Sequence, residues 1–140
     1  MRFCAVLFIT VVLTACNRAP VPRSDSKAVS APDSALQFLL TAAATDFHTH
    51  RQPDPAGFRN VRFGYVLAPS GERTYMLCGQ FLPAEEGGKA QWTSFATLKT
   101  SDYEQWIGAQ AESFCQNPSA IWDTASTLSA QLQSRFESLR

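Results

Sequence analysis

Phe58–Thr100 reads FRNVRFGYVLAPSGERTYMLCGQFLPAEEGGKAQWTSFATLKT. Apolar side chains fall on alternate positions in its first part, at Val61, Phe63, Tyr65 and Leu67. A period of two is typical of β-strands, and clusters of Pro, Ser, Gly and Glu at Pro69–Glu72 and Glu85–Gly88 predict turns between them. The segment therefore predicts three strands in an antiparallel meander, which must bury one face to be stable.

Before this segment, the spacing of the apolar residues changes to that of a helix. Leu36, Leu39, Leu40, Ala43 and Phe47 share one helical face. We expect the helix to begin with a cap at Asp33 or Ser34 and to end near His50, because prolines follow at 53 and 55. This is the N-terminal helix of the predicted fold.

After the meander, two further helices are predicted. Ser101–Glu104 has the form of a capping box, and a helical face follows at Tyr103, Trp106, Ile107, Ala111, Phe114 and Cys115. Asn117–Pro118 should break that helix and start another, with a stripe at Ile121, Ala125, Leu128, Leu132, Phe136 and Leu139. The stripe fits either the domain core or a partner-binding surface. The predicted fold is α+β: an N-terminal helix, a three-stranded antiparallel meander and C-terminal helices, in one small domain at residues 33–140.

The first fifteen residues indicate a signal peptide. Arg2 precedes an apolar run, and Leu13-Thr14-Ala15-Cys16 closes it with small residues before a thiol. This ending resembles the lipobox of bacterial lipoproteins, which implies that Cys16 receives a diacylglycerol and becomes the first residue after cleavage. A transmembrane anchor is disfavoured, because the run is too short to cross a hydrocarbon core of about 30 Å. A secretory peptide cut elsewhere is the remaining alternative.

The lipobox resemblance implies a location in the cell envelope. Two or three acyl chains on Cys16 hold a protein on a membrane effectively permanently. By the same resemblance Asn17, which is not Asp, favours the outer membrane, with the domain facing the periplasm. Residues 16–32 are rich in Pro, Ser and Ala, which predicts a flexible tether between lipid and domain.

Four cysteines are present, of which Cys4 would leave with the signal peptide and Cys16 would carry lipid. Cys78 and Cys115 then remain in an oxidising compartment, where two thiols normally pair. The sequence thus predicts a Cys78–Cys115 disulfide, with two separate thiols, one of them reactive, as the alternative. Two cysteines so far apart and without a third ligand do not indicate a metal site.

The charge composition argues against nucleic acid as a partner. Without Arg2, 11 Lys and Arg stand against 12 Asp and Glu, and no basic cluster forms. Arg59, Arg62 and Arg73 are expected to share one face of a strand pair, either as an ordinary solvated face or as a basic strip that contacts an acidic partner or phosphate.

The middle of the chain resembles a small domain of unknown function found in bacterial lipoproteins and other exported proteins. The matching motifs are Asp54-Pro55, Phe58-Arg59-Asn60-Val61, Cys78-Gly79 and Gly87-Gly88, followed by Trp92 and Phe95 in an aromatic strand. The resemblance covers residues 54–98 and implies an exported fold of this kind. The family's Asn-Ala-Lys-Asn stretch is replaced here by Phe81-Leu82-Pro83-Ala84, so a ligand of that loop would not carry over.

Two groups of residues are of types that occur in catalytic or metal sites. Asp46, His48 and His50 lie at alternate positions and could bind zinc or copper on an extended segment; at a helix C-terminus the histidines would instead face free carbonyls. The second reading is favoured, so no metal site is predicted. Asp54, Glu72, Asp102 and Glu104 are not spaced as a hydrolytic carboxylate pair.

The sequence thus predicts a protein that is not an enzyme and needs no cofactor. We expect a lipid-anchored envelope protein that binds or helps to assemble another envelope component through its sheet edge or last helix. The alternative is an anchored inhibitor or immunity protein against a toxin or a peptidoglycan hydrolase. For that role the Ala84–Ala90 loop, with Glu85, Glu86 and Lys89, is the candidate contact.

Overall fold

A computed structural model of the chain describes residues 31–51, 54–84 and 89–140. Signal peptide, Cys16 and nearly all of the predicted tether lie outside these ranges. The elements, in chain order, are α1 (Ala31–His50), β1 (Gly57–Leu67), β2 (Arg73–Leu82), β3 (Thr93–Lys99), β4 (Tyr103–Ile107), α2 (Ala109–Cys115), β5 (Ile121–Trp122) and α3 (Leu128–Glu137). None of the helices in these ranges is long and apolar enough to span a membrane.

The described strands form one antiparallel sheet in the order β4-β3-β2-β1-β5. The predicted α+β class and the central β1-β2-β3 meander are confirmed. The prediction of only three strands is wrong, because one strand is added at each edge. α1 begins at Ala31, two residues before the expected cap, with Pro32 in the first turn, where its missing N–H costs nothing.

The segment Tyr103–Ile107 is a strand and not the start of a helix. Ser101 and Asp102, which resemble a capping box, lie in the tight connection between β3 and β4. β4 pairs with β3 from Tyr103 opposite Lys99 to Ile107 opposite Phe95. Since this pairing satisfies the backbone groups along β3, tertiary hydrogen bonding prevails over the local signal. Gly108, at φ +70°, then turns the chain into the short α2.

The final helix is shorter than predicted. Ile121 and Trp122 form β5, which pairs with β1 at Tyr65 and Gly64, and α3 spans only Leu128–Glu137. A Cβ on Gly64 would lie 2.6 Å from the main-chain oxygen of Ile121 and 2.6 Å from a ring carbon of Trp122, so the missing side chain makes room for this strand. Ile121 is consequently 47% exposed and lies outside the helical stripe.

α1 and α3 cover one face of the sheet and form the larger core with it. Leu128, Leu132 and Phe136 of α3 are each at most 1% exposed in this core. Phe47 of α1 lies at its centre, with its ring 5.0 Å from that of Phe58 and 5.2 Å from that of Phe95. The stripe of the last helix is therefore core-facing, and this part of it is not available for docking.

The opposite face of the sheet carries a smaller apolar cluster under α2. Its buried members are Met76, Cys78, Ala96, Leu98 and Ala111, and Trp106, Phe114 and Trp122 pack against them. Cys78 on β2 is bonded to Cys115 at the end of α2, with 5.7 Å between their Cα atoms. The predicted disulfide is confirmed, and it fixes α2 to the centre of the sheet.

A β-bulge interrupts β1 at Asn60. The strand pairs Arg59 with Gln80 and Arg62 with Cys78, so two residues of β1 face Gly79 alone. Asn60 has φ +54°, a conformation that asparagine adopts more readily than most residues. On the core side, a Cβ at Gly79 would approach Val61 and Phe95 to 2.9 and 2.8 Å, so glycine lets both side chains close over the bulge.

Candidate functional site: a cleft beside the disulfide

A cleft of about 330 Å³ opens on the α2 side of the sheet, next to the disulfide. It is lined by Asn60 and Arg62 of β1, Cys78, Gly79 and Gln80 of β2, Ser94 of β3, and Glu112, Cys115 and Gln116 in and after α2. Its volume lies near the lower end of the roughly 300–1,000 Å³ that small-molecule sites occupy. The side chains that line it are almost all hydrogen-bonding groups.

The bulge determines which arginines stand on this side of the sheet. Residues three apart on a regular strand point to opposite faces, but the extra residue at Asn60 places Arg59 and Arg62 on the same face. Arg73 pairs with Leu67 and lies on the opposite face, with its guanidinium over Tyr65 at 4.8 Å. The prediction of one face for all three arginines is therefore wrong for Arg73 alone.

Arg73 takes part in an aromatic group of its own. Its pKa is raised above the ordinary arginine value, chiefly by a hydrogen bond with the Tyr75 side chain and then by the phenol of Tyr65. The Tyr75 ring is stacked on that of Phe63, with 5.6 Å between centroids. Arg73 therefore contacts Tyr65 and Tyr75 at the surface, on the side of the sheet opposite the cleft.

Two contacts fix the position of Arg62. Its guanidinium carbon lies 3.9 Å from the centroid of Trp122, and one guanidinium nitrogen donates a hydrogen bond to the main-chain oxygen of Cys115. Within the described residues it has no carboxylate partner. Because an arginine has five N–H donors, most of them remain available to a molecule in the cleft.

Gln80 connects the other two polar residues of β1. Its Oε1 accepts hydrogen bonds from Arg59 Nε at 2.9 Å and from Asn60 Nδ2 at 3.3 Å. Arg59 is in turn held over the Trp92 ring at 4.2 Å. This network orients the Gln80 and Asn60 amides at the rim of the cleft and places a second positive charge beside it.

The opposite wall is formed by α2 and β3. Ser94 Oγ donates a hydrogen bond of 3.2 Å to Glu112 Oε1. Glu112 has no ion-pair partner among the described residues, and Gln116 follows one helical turn later. The cleft thus has Arg62 on one wall and Glu112 on the other. Neither takes part in the two ion pairs found among the described residues.

The disulfide lies in the wall between these two sides. Cys78 is fully buried in the centre of the sheet, and the sulfur of Cys115 is bonded to it. Because both sulfurs are bonded, neither is a thiolate nucleophile or a metal ligand. The disulfide holds α2 against the strands, and with α2 it positions Glu112 and Gln116 at the cleft.

The residues weighed for metal binding do not converge. Asp46, His48 and His50 all lie in α1, where positions two apart point in different directions. Asp46 Oδ1 contacts His50 Nδ1 at 3.1 Å, while the His48 ring packs against Phe136 with 6.3 Å between centroids. Within the described ranges, no group of three or more His, Cys, Asp and Glu is placed to hold a metal ion.

Asp46 belongs instead to a buried polar contact between α1 and β4. It is 7% exposed, and Tyr103 Oη donates a 3.3 Å hydrogen bond to its Oδ1. Burial, followed by the charge of Asp46, raises the pKa of Tyr103 above its ordinary value. This contact ties the edge strand to the helix and lies on the α1 side of the sheet, opposite the cleft.

The four carboxylates considered for hydrolysis lie on separate elements. Asp54 bonds Arg140 at 3.0 Å, Glu72 lies in the β1–β2 turn, and Glu104 accepts from the Trp106 indole at 3.3 Å. Asp102 is in the β3–β4 connection. Of the loop considered for inhibition, Glu85–Gly88 lies outside the described residues.

Sequence reasoning found part of the cleft. Asn60, Cys78 and Gly79 belong to the motifs on which the resemblance rests, and Arg62 was singled out with the other arginines. Gln80, Ser94, Glu112 and Gln116 were missed, because nothing in their local pattern shows that the sheet and α2 bring them together. Only the Cys78–Cys115 pairing, which places α2 beside β2, could have indicated Glu112 and Gln116.

Comparison with known proteins gives no match: no family model, curated protein or solved structure is significantly similar to this chain. A function for this chain is therefore inferred from the chemistry of the cleft and from the motifs of the sequence.

Proposed function

We propose that this protein is a lipid-anchored domain of the bacterial cell envelope that binds a small polar ligand in the cleft beside its disulfide, without catalysing a reaction. The observation that carries the proposal is the cleft itself, where oriented hydrogen-bonding side chains from three strands and one helix line a single space. Sites of this kind hold a ligand through a few well-placed polar groups.

The contacts of Arg62 favour binding as its role. An arginine held by an aromatic ring and a main-chain oxygen loses little further freedom when it takes up a ligand, so less affinity is lost to ordering. Catalysis would need a nucleophile or a proton-transfer group in the same space. Ser94 and Glu112 are of the right types and share a hydrogen bond of 3.2 Å, but within the described residues no third side chain orients the Glu112 carboxylate as a catalytic base requires. The other groups in the cleft are amides, a guanidinium and two bonded sulfurs.

The proposed location rests on two features. Leu13-Thr14-Ala15-Cys16 resembles a lipobox, and a structural disulfide is typical of proteins in oxidising compartments such as the periplasm. An anchor on Cys16 would keep the cleft within the length of the tether from the membrane surface. An outer-membrane position, which follows from Asn17, is part of the same proposal.

The anchor is tested by Cys16→Ser in cells fed a labelled fatty acid. We expect the unchanged chain to carry the label and the variant to lose both the label and the cleavage before residue 16. Incorporation of label into the variant, or the same mature N-terminus, would show that the lipobox assignment is wrong.

The cleft is tested by photo-cross-linking in intact cells. A photoreactive amino acid replaces Gln116, at the mouth of the cleft, or Glu137, which is exposed on α3 on the other side of the sheet. We expect an adduct of defined mass from position 116, absent from position 137 and reduced by Arg62→Gln. Equal adducts from both positions, or none from 116, would reject a binding site here.

A further inference from the structure

Arg62 and Glu112 line the same cleft, and neither is paired with an opposite charge in the described part of the chain. Opposite charges on two walls of one space create a dipolar site. A ligand with a single type of charge would be attracted by one wall and repelled by the other. The ligand that satisfies both walls carries a negative and a positive group.

The positive wall is suited to a carboxylate. The guanidinium of Arg62 is planar, and its stacking on Trp122 fixes that plane while its hydrogen bond to Cys115 occupies one nitrogen. A fixed guanidinium edge can form two parallel hydrogen bonds to a carboxylate. The amides of Asn60 and Gln80, joined at 3.3 Å, line the cleft beside it and can bond a neighbouring peptide group.

The negative wall is suited to an ammonium group. Glu112 Oε1 is held by the Ser94 hydroxyl, which leaves its second oxygen without a protein partner in the described residues. An ammonium has three donors and no acceptor, so the carboxylate of Glu112 and the hydroxyl oxygen of Ser94 are suitable acceptors for it. A phosphate ligand would be repelled by Glu112 at this wall.

We propose that the cleft binds a small zwitterion, a free amino acid or a short peptide, with its carboxylate on Arg62 and its ammonium on Glu112. This inference rests on the proposed function and names the chemical class of its ligand. A volume of about 330 Å³ fits a ligand of amino-acid or dipeptide size. The bulge at Asn60 and the Cys78–Cys115 bridge hold the two charged walls on the same side of the sheet.

The test uses the full chain in detergent micelles and the dipeptide alanyl-alanine as the probe. Calorimetric titration compares it with its N-acetyl derivative, its C-terminal amide and inorganic phosphate. We expect saturable binding of the dipeptide, and a loss of about tenfold or more in affinity when either charge is removed, since each charged hydrogen bond would then be lost. Phosphate should bind more weakly than the dipeptide.

Variants assign each charge to its wall. Arg62→Gln should weaken the dipeptide to the level of its amide and leave little difference between the two. Glu112→Gln should weaken binding of the dipeptide to the level of its N-acetyl derivative and leave little difference in affinity between those two ligands. The matched control is Glu137→Gln, at an exposed glutamate on α3. It should leave unchanged both the affinity of the dipeptide relative to its amide and its affinity relative to the N-acetyl form. Because Glu112 is exposed, its variant tests the assignment even if Arg62→Gln proves unstable.

Three results would overturn the inference: no binding of the dipeptide, equal binding of its blocked forms, or tighter binding of phosphate. If the dipeptide fails while position 116 still gives a specific adduct in cells, the ligand class is wrong and the binding site stands. If the adduct is absent as well, the proposed function fails with it.

Discussion

Arg62 on β1 donates a hydrogen bond to the main-chain oxygen of Cys115, whose side chain is bonded to Cys78 on the neighbouring strand. The positive group of the cleft and the disulfide are thus parts of one arrangement. A change at the bridge is expected to alter both the stability of the fold and the orientation of Arg62. This coupling underlies the first prediction.

Removal of the bridge by the double change Cys78→Ala and Cys115→Ala should lower the free energy of unfolding. The sequence separation of 37 residues corresponds to about 4 kcal/mol on the chain-entropy estimate. Denaturant unfolding of the oxidised protein and the double variant measures the difference. The variant should also cross-link more weakly from position 116. Unchanged unfolding would contradict the structural role given to the bridge.

Asn60→Gly removes the side chain at the bulge and still allows the backbone conformation found there. Glycine accepts φ +54° without strain, so the free energy of unfolding should change by less than about 1 kcal/mol. Asn60→Val puts a β-branched residue in that conformation and should cost about 1–3 kcal/mol. Thermal and denaturant melts compare the two variants. Equal stabilities would show that the bulge does not depend on this backbone conformation.

Leu132→Ala should destabilise the domain by about 2–5 kcal/mol, because the Leu132 side chain of α3 is fully buried in the core that α3 forms with α1 and the sheet. Leu139→Ala is the control: the residue is 41% exposed, and its truncation should cost about 0.5 kcal/mol or less. Denaturant unfolding measures both. A melt of the Leu132→Ala variant within about 1 °C of the unchanged protein would reject the core assignment.

Because the pKa of Tyr103 is raised in the folded protein, we expect the free energy of unfolding to fall in alkaline solution. The unfolded chain releases the tyrosine proton near pH 10.0, whereas burial and then Asp46 raise the pKa of Tyr103 in the folded protein. Between these two values only the unfolded state is ionised, so the contribution of Tyr103 to stability is present below pH 10 and falls as the pH rises above it.

Tyr103→Phe isolates this effect from that of other groups. At neutral pH the variant should be less stable by about 1–3 kcal/mol, because buried Asp46 loses a hydrogen bond. The stability gap should narrow as the pH rises from 10, since the variant has no phenol to ionise. Urea unfolding at several pH values measures the gap. A gap that stays constant would mean that Tyr103 titrates normally in the folded state.

The parts of the fold with a clear period were predictable from the sequence. Alternation at Val61, Phe63 and Tyr65 predicted β1, and helical spacing from Leu36 to Phe47 predicted α1. The three apolar residues Tyr103, Trp106 and Ile107 fit one face of a helix, but so short a run after a turn also fits an edge strand, so the helix predicted over Tyr103–Ile107 is wrong. The hydrogen bonds to β3 that decide its structure are not encoded in its local pattern.

The cleft was less predictable, for the same physical reason. A strand with regular alternation would have put Arg59 and Arg62 on opposite faces, and only the left-handed backbone at Asn60 brings them together. Nothing in the sequence singles out Glu112, because its closeness to Ser94 depends on where the disulfide holds α2. Sites assembled from distant segments need the topology before their residues can be recognised.

The most direct test of the binding cleft is an amide NMR titration of the full chain in micelles with the low-molecular-mass fraction of a bacterial envelope extract. We expect saturable shifts confined to Asn60, Gly79, Ser94, Gln116 and their neighbours, and their loss in Arg62→Gln. Shifts confined to α1 and α3, or no shifts in the cleft at any concentration of extract, would contradict a binding site beside the disulfide.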